Sequence, residues 1–217
     1  VSQLWQFITD PTNAFVNHSI AYLQICAFSI FFAIVIGVVL GALVSRNALA
    51  AFTAVNLSGL MRAIPVIAFL IAALPYLGVG FKPTVVALIV LGIPPILLNT
   101  YTGIRGIDPA ITDAARGMGM TAWQIISRIQ TPLVLPVIAA GIRTSAVQIV
   151  ATATLAAIIG AGGYGEYIID GLNRLDNVAI LAGAIPVAIL AIIVELFMSW
   201  LQYVLTPKGL RVIAETV

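Results

Sequence analysis

The sequence predicts an all-α integral membrane protein of about five transmembrane helices, read as a single domain over 1–217, with one polar loop of short helices. Three observations predict it. Charged residues make up 8% of the chain, against about 25% in soluble domains, too few to cover a water-facing surface. Mean hydropathy is +1.13. Apolar runs long enough for a bilayer core, which takes about 20 helical residues, recur near 19–44, 49–74, 84–104, 133–159 and 178–205.

Ahead of the first run, "SQLWQFITDPTNAF" carries Trp5 and Phe7 and suits a helix lying on the outer interface. The first run lacks a basic flank and a clear cleavage site, so it is expected to stay as a span rather than act as a signal peptide. It holds the single cysteine, Cys26, read as a small core residue. The lone histidine, His18, stands at its start and is read as interfacial. The second run contains Arg62 and Pro65, the third Pro94, Pro95 and Asn99, the fourth Pro136, Arg143, Gln148 and Thr152, and the fifth Pro186 and Glu195. Membrane helices tolerate proline because neighbouring groups re-satisfy the freed carbonyl, so each run is expected to be one span.

Orientation follows from basic residues in the loops. Arg46, Arg105, Arg116, Arg128, Lys208 and Arg211 fall on one side, Lys82 and Arg174 on the other. The first side is therefore cytoplasmic, the N-terminus outside and the C-terminus inside.

The polar loop, about 105–131, is built from local signals. Asp108-Pro109 starts a helix, Asp capping free N–H groups and Pro fitting the first turn. That helix runs to about Gly117 and places Ile111, Ala114, Ala115 and Met118 on one face. Gly119 can take positive φ and end it. Thr121 and Gln124 then fit a capping box, opening a second short helix to about Gln130, with Pro132 limiting its continuation toward the fourth span. Two capped helices exceed what a connector requires, and Ala114-Ala115 offers a small-residue surface that another protein could approach.

This stretch resembles the cytoplasmic signature of ABC importer permeases: Glu-Ala-Ala, three residues, Gly, nine residues, Ile-x-Leu-Pro. Here it reads Asp113-Ala114-Ala115, then Arg116, Gly117 and Met118, then Gly119, and finally Ile129-Gln130-Thr131-Pro132. Asp replaces Glu and Thr131 replaces Leu. The resemblance implies a type I importer permease fold in which this loop is a coupling helix. Asp113, Ala114, Ala115, Arg116, Gly119 and Met120 would then face an ATPase subunit. "LLNTYTGIRGIDPAITDAARGMGM", "AGIRT" and "LAAIIGAGGYGEYI" are similar to the branch importing quaternary-amine osmoprotectants, over roughly 62–190. A permease for another small amine or an amino acid is the alternative. The family logic implies two ATPase copies that carry the ATP and Mg, a second permease chain (identical or paralogous), an extracytoplasmic binding protein and a bacterial cytoplasmic membrane. No cofactor is expected on this chain.

Gly160-Ala-Gly162-Gly163-Tyr164-Gly165 fits G-x-G-x-x-G, but it follows a membrane span rather than a strand, so it is not a dinucleotide site. It reads as an outer-side turn, and by resemblance Gly162, Gly163, Tyr164 and Gly165 would face the binding protein. Charges at the membrane centre cost about 2.5–3.5 kcal/mol each. Arg62, Arg143 and Glu195 are thus either gate or pathway groups, or internal ion pairs and snorkelling side chains. Glu195 is expected to neutralise Arg62 or Arg143. Pro65, Asn99 and Gln148 are further pathway candidates, and Thr152 another polar residue at depth. Aromatic faces bind quaternary ammonium, so Tyr76, Phe81, Tyr164 and Tyr167 either line an entrance or anchor the interface.

No Walker loop, Ser/His/Asp grouping, metal-ligand spacing or Lys/Arg-rich tract stands in the sequence. Catalysis and nucleic-acid binding are therefore not expected. An ion-coupled secondary transporter would show internal repeats and intramembrane acids, and Glu195 is the only acid deep in a run.

Overall fold

Residues 2–207 are described by the structure, a computed structural model. Lys208 and Arg211, two of the basic residues used for orientation, lie outside them. Ten α-helices follow in order: α1 Ser2–Thr9, α2 Phe15–Val44, α3 Ala48–Ala63, α4 Val66–Leu77, α5 Phe81–Arg105, α6 Pro109–Gly117, α7 Ala122–Ile125, α8 Thr131–Thr152, α9 Tyr164–Arg174 and α10 Asn177–Leu205. Among the described residues four helical stretches are long and apolar enough to cross a membrane, and a bent pair, α3 with α4, makes up to five.

The centre is α5, flanked by α2 and α8 and set close to both by glycine. A Cβ built on Gly41 would lie 2.6 Å from Thr100 Cβ and 2.8 Å from Leu97 O, and one on Gly37 2.8 Å from Ile96 Cβ. Gly37 and Gly41 form a G-x-x-x-G pair, the spacing that lets membrane helices approach closely. Gly141 of α8 does the same against Asn99 Cβ (2.7 Å) and Pro95 O (2.9 Å). Across the α5–α8 seam the Ser145 hydroxyl donates to Gly92 O at 2.8 Å. Fully buried Tyr22, Ile25, Ile96 and Ile149 fill the middle. Helix α10 lies against α8 and α9.

The second apolar run is not one helix. Helices α3 and α4 meet at 94°. Ile64 is extended (φ −75°, ψ 122°) and so is Pro65 (ψ 129°), because a proline ring disfavours the α region in the residue before it. The same chemistry at Pro94-Pro95 leaves α5 unbroken, and burial explains the difference. Pro94 and Pro95 are held between α2 and α8, while Ile64 and Pro65 are exposed.

The fourth run differs the other way. Pro132 does not interrupt it: a single helical path runs 38 residues from Ala122 to Ile159. A π-turn over Ile126–Gln130, closed by the Thr131 N–H onto Ile126 O, widens the helix where the ring would otherwise crowd the carbonyl four residues earlier. The path tightens to 3₁₀ over Ala153–Ile159 and ends at Gly160 with φ 68°.

Candidate functional site

Two features stand out: the paired helices at one end of the bundle, and a polar groove along α8 and α10.

The loop helices are stabilised by their own side chains. Asp108 Oδ1 accepts from the Ala110 N–H at 2.9 Å, and Pro109 occupies the first turn. The Thr121 N–H donates to Gln124 Oε1 at 2.8 Å, and the Gln124 N–H returns to Thr121 Oγ1 at 3.4 Å. Between them Gly119 takes φ 79°, and the Met120 N–H donates to Ala115 O at 3.2 Å. Asp113 and Arg116 pair at 3.1 Å, both more than two-thirds exposed, a pair of little energetic weight. Ala115 corrects the small-residue surface expected of this helix: it is fully buried, its methyl turned into the chain, and only Ala114 of the two is exposed. The outward apolar groups are Ile111, Met118 and Trp123, the last two 73% and 74% exposed. Trp123 was not singled out from the sequence, although an exposed tryptophan inside a capping box is a legible signal.

The open groove, about 530 Å³, is lined by Ala140, Arg143, Thr144 and Gln148 of α8 and by Glu195 and Gln202 of α10. Arg143 donates to Glu195 Oε1 through Nε at 2.8 Å and through Nη2. Of the two partners expected for Glu195, then, Arg143 takes the place, while Arg62 is exposed in the last turn of α3 and pairs with no acid among the described residues. At 1.5 Å per residue Glu195 stands about 27 Å from the start of α10 and about 15 Å from its end, inside the apolar span and nearer its C-terminal end. Both partners are more than a third exposed. A charged pair open on one side at that depth is costly against hydrocarbon, so this side faces water or another protein. Gln202 and Thr144 were not named from the sequence, yet Glu195 and Gln202 at i, i+7 share a helical face.

The structure places the other candidates as follows. The Asn99 amide donates back to Pro95 O at 2.8 Å and its Cβ abuts Gly141. Pro65 sits at the α3–α4 bend. Thr152 ends α8.

The glycine segment turns inward, contrary to the surface expected of it: Gly163, Tyr164 and Gly165 are buried. The Tyr164 hydroxyl donates to Ser19 Oγ at 2.9 Å. A Cβ on Gly163, which has φ 88°, would meet Tyr22 Cδ2 at 2.9 Å, and one on Gly165 would overlap Thr154 O. Tyr164 and Tyr167 join Phe7, Phe15, His18 and Tyr22 in a cluster, with Phe7 edge-on to Tyr167 at 5.4 Å. These two tyrosines are thus neither entrance nor anchor, while Tyr76 is 88% exposed. Tyr167 also donates to Asn13 O. Burial, with the Glu166 charge second, pushes its phenol up to about 12.

An all-helical bundle with long apolar spans, a capped helix pair at one end and a charged groove at membrane depth defines a multi-pass membrane transport component. The chain belongs to the family described as binding-protein-dependent transport system inner membrane component, which its residues 33–210 match. It is 43% identical over 190 residues to the carnitine transport permease protein OpuCB of Listeria monocytogenes, covering 88% of this chain and 87% of that one. It is 36% identical over 211 residues to the glycine betaine/carnitine/choline transport system permease protein OpuCB of Bacillus subtilis (strain 168), covering 97% of each. The fold matches a chain of the MetNI methionine ABC transporter in an inward-facing conformation, with TM-score 0.77, 23% identity, and coverage of 88% of this chain and 96% of that one. The type I importer permease fold expected from the sequence is therefore the fold observed.

Proposed function

We propose that this chain is the permease subunit of an ATP-driven importer for quaternary-amine osmoprotectants: glycine betaine, carnitine, choline and proline betaine. The observation that carries the reading is similarity, over nearly the whole chain, to permeases named for carnitine and for glycine betaine, carnitine and choline.

In this reading the protein lies in a bacterial cytoplasmic membrane, N-terminus outside and C-terminus inside. Arg105, Arg116 and Arg128 around the capped helices support that sense. Helix α6 with α7 is the coupling element. Its exposed Ile111, Ala114, Met118 and Trp123 seat in a groove of an ATPase subunit, one copy per permease chain. A second permease chain, identical or paralogous, completes the path, and an extracytoplasmic binding protein delivers solute. ATP and Mg act on the ATPase, and closure of its dimer rocks the two permease halves between outward and inward access. This chain hydrolyses nothing and binds no cofactor of its own.

The test is capture of the tagged chain from its native host in mild detergent, with its stoichiometric companions identified by mass spectrometry. An ATPase, a second permease copy or paralogue, and a binding protein are expected with the wild type. Met118→Glu, exposed and outside the packed interior, is expected to lose the ATPase while remaining folded. Absence of any ATPase from the wild-type capture overturns the reading.

A further inference from the structure

Arg62 and the α3–α4 bend share one place in the fold. By helical rise Arg62 stands about 21 Å along α3 from Ala48, against a bilayer core of about 30 Å. Helix α5 fixes the depth independently. Met61 and Ile64 line a pocket with Ala87, Val90 and Leu91 of α5, and Val90 lies about 14 Å from the start of α5 and about 22 Å from its end. The bend is therefore inside the apolar span. It is open on one side: Arg62, Ala63, Ile64 and Pro65 are all exposed.

Two features of this place are incompatible with hydrocarbon. The first is broken backbone. Ile64 and Pro65 are extended, and Pro65 gives the first N–H groups of α4 no side-chain cap. Helix ends leave backbone groups without intrahelical partners, and irregular backbone at membrane depth is confined to protein interiors and water-filled cavities. The second is Arg62, which pairs with no acid among the described residues. A dry protein contact does not suit it either, because an unpaired charge is costly to bury. Glu195, the only acid inside an apolar span, is held by Arg143, so an identical second chain brings no free carboxylate to this depth.

We propose that the α3–α4 bend lines the water-filled translocation path and that Arg62 is a fixed cation on its wall. Water then satisfies the open backbone groups and the guanidinium together, while the apolar side of the bend stays packed on α5. The inference rests on the permease reading above and deepens it by naming one wall of the path.

Thiol labelling of the complete complex in proteoliposomes tests it. The single cysteine is removed as Cys26→Ser, and Ile64→Cys is added. Two membrane-impermeant methanethiosulfonates are supplied on both sides of the membrane, one bearing a sulfonate and one a trimethylammonium group. Labelling is read on this chain by intact mass. Tyr76→Cys, at a position 88% exposed, sets the rate of an open thiol for each reagent. Ile64→Cys is expected to react with both reagents at rates within about tenfold of Tyr76→Cys. After that normalisation the sulfonate is expected to be favoured by about fivefold, because a unit charge about 7 Å away in water changes each reagent's local concentration about two- to threefold, in opposite senses. Adding Arg62→Gln is expected to return the ratio to about one with the thiol still reactive. A bend covered by lipid, or packed dry against the second permease chain, predicts a thiol that neither reagent reaches, and that result overturns the inference. A ratio that Arg62→Gln leaves unchanged overturns Arg62 as the cation of the wall. Should Ile64→Cys not assemble, Ala63→Cys at the same bend carries the same expectation and the same refutation. The capture experiment above decides the permease reading separately: an ATPase recovered with the chain, together with unreactive thiols at 63 and 64, overturns this inference alone.

Discussion

Gly41 offers the sharpest test of how the bundle is held. In Gly41→Ala the new methyl sits 2.6 Å from Thr100 Cβ and 2.8 Å from Leu97 O, where carbon contacts settle at about 3.5–4.0 Å. One of those neighbours is backbone, so no rotamer change relieves it, and α2 must retreat from α5 by about 1 Å. A gap of that size forfeits a quarter to a half of each dispersion contact along the seam. Overpacking of this kind costs about 1–3 kcal/mol. Gly59 is the matched control, because a Cβ there meets nothing within 4 Å. It lies inside α3, where replacing Gly by Ala gains about 0.8–1.0 kcal/mol of helix propensity. The same chemical change is thus expected to have opposite signs at two positions. Thermal unfolding of the detergent-purified protein reads it at about 2–4 °C per kcal/mol for a chain of this length. Equal midpoints for the two variants would refute glycine-mediated approach as the basis of the α2–α5 contact.

Further outcomes follow from other contacts. Gly165→Ala is expected to be more damaging than Gly41→Ala, because its Cβ overlaps the Thr154 carbonyl oxygen, and membrane-inserted yield after expression reads the loss. Thr121→Ala removes one arm of the capping box and is expected to cost about 1 kcal/mol locally, seen as faster hydrogen exchange over 122–126 with the far spans unchanged. Tyr167 has its folded pKa raised from the model-compound value of 10.0 to about 12, so its contribution to stability is complete below pH 10 and is lost as pH rises through about 12. The stability difference between wild type and Tyr167→Phe should shrink across that window, and a constant difference would remove the phenol as the cause.

What the sequence made legible is what is local. Asp108, Pro109, Gly119, Thr121 and Gln124 act on backbone groups within a few positions of themselves, so the two loop helices could be bounded without any tertiary knowledge. The bend at Ile64-Pro65 could not, because Pro94-Pro95 carries the same signal and stays helical under the packing of α2 and α8. Helical periodicity grouped Ile111, Ala114, Ala115 and Met118 but could not say that Ala115 turns inward. The glycine segment was legible as a turn, whereas its direction depends on Tyr22, far away in the chain. The cost of buried charge required a partner for Glu195. The choice of Arg143 over Arg62 came from the α8–α10 contact, which joins positions 52 residues apart.

The unbroken path from Ala122 to Ile159 has a mechanical consequence. It begins in the capped loop, carries Arg143 near its middle and ends at the glycine turn, 38 residues of continuous helix, about 57 Å at 1.5 Å per residue. A tilt of about 5° about Arg143 would swing the far end, about 24 Å away, through about 2 Å, while the near end moves a similar distance the other way. The path ties the capped helices to the glycine turn through continuous hydrogen-bonded backbone, and it departs from α geometry at the widened turn over Ile126–Gln130 and the tightened one over Ala153–Ile159.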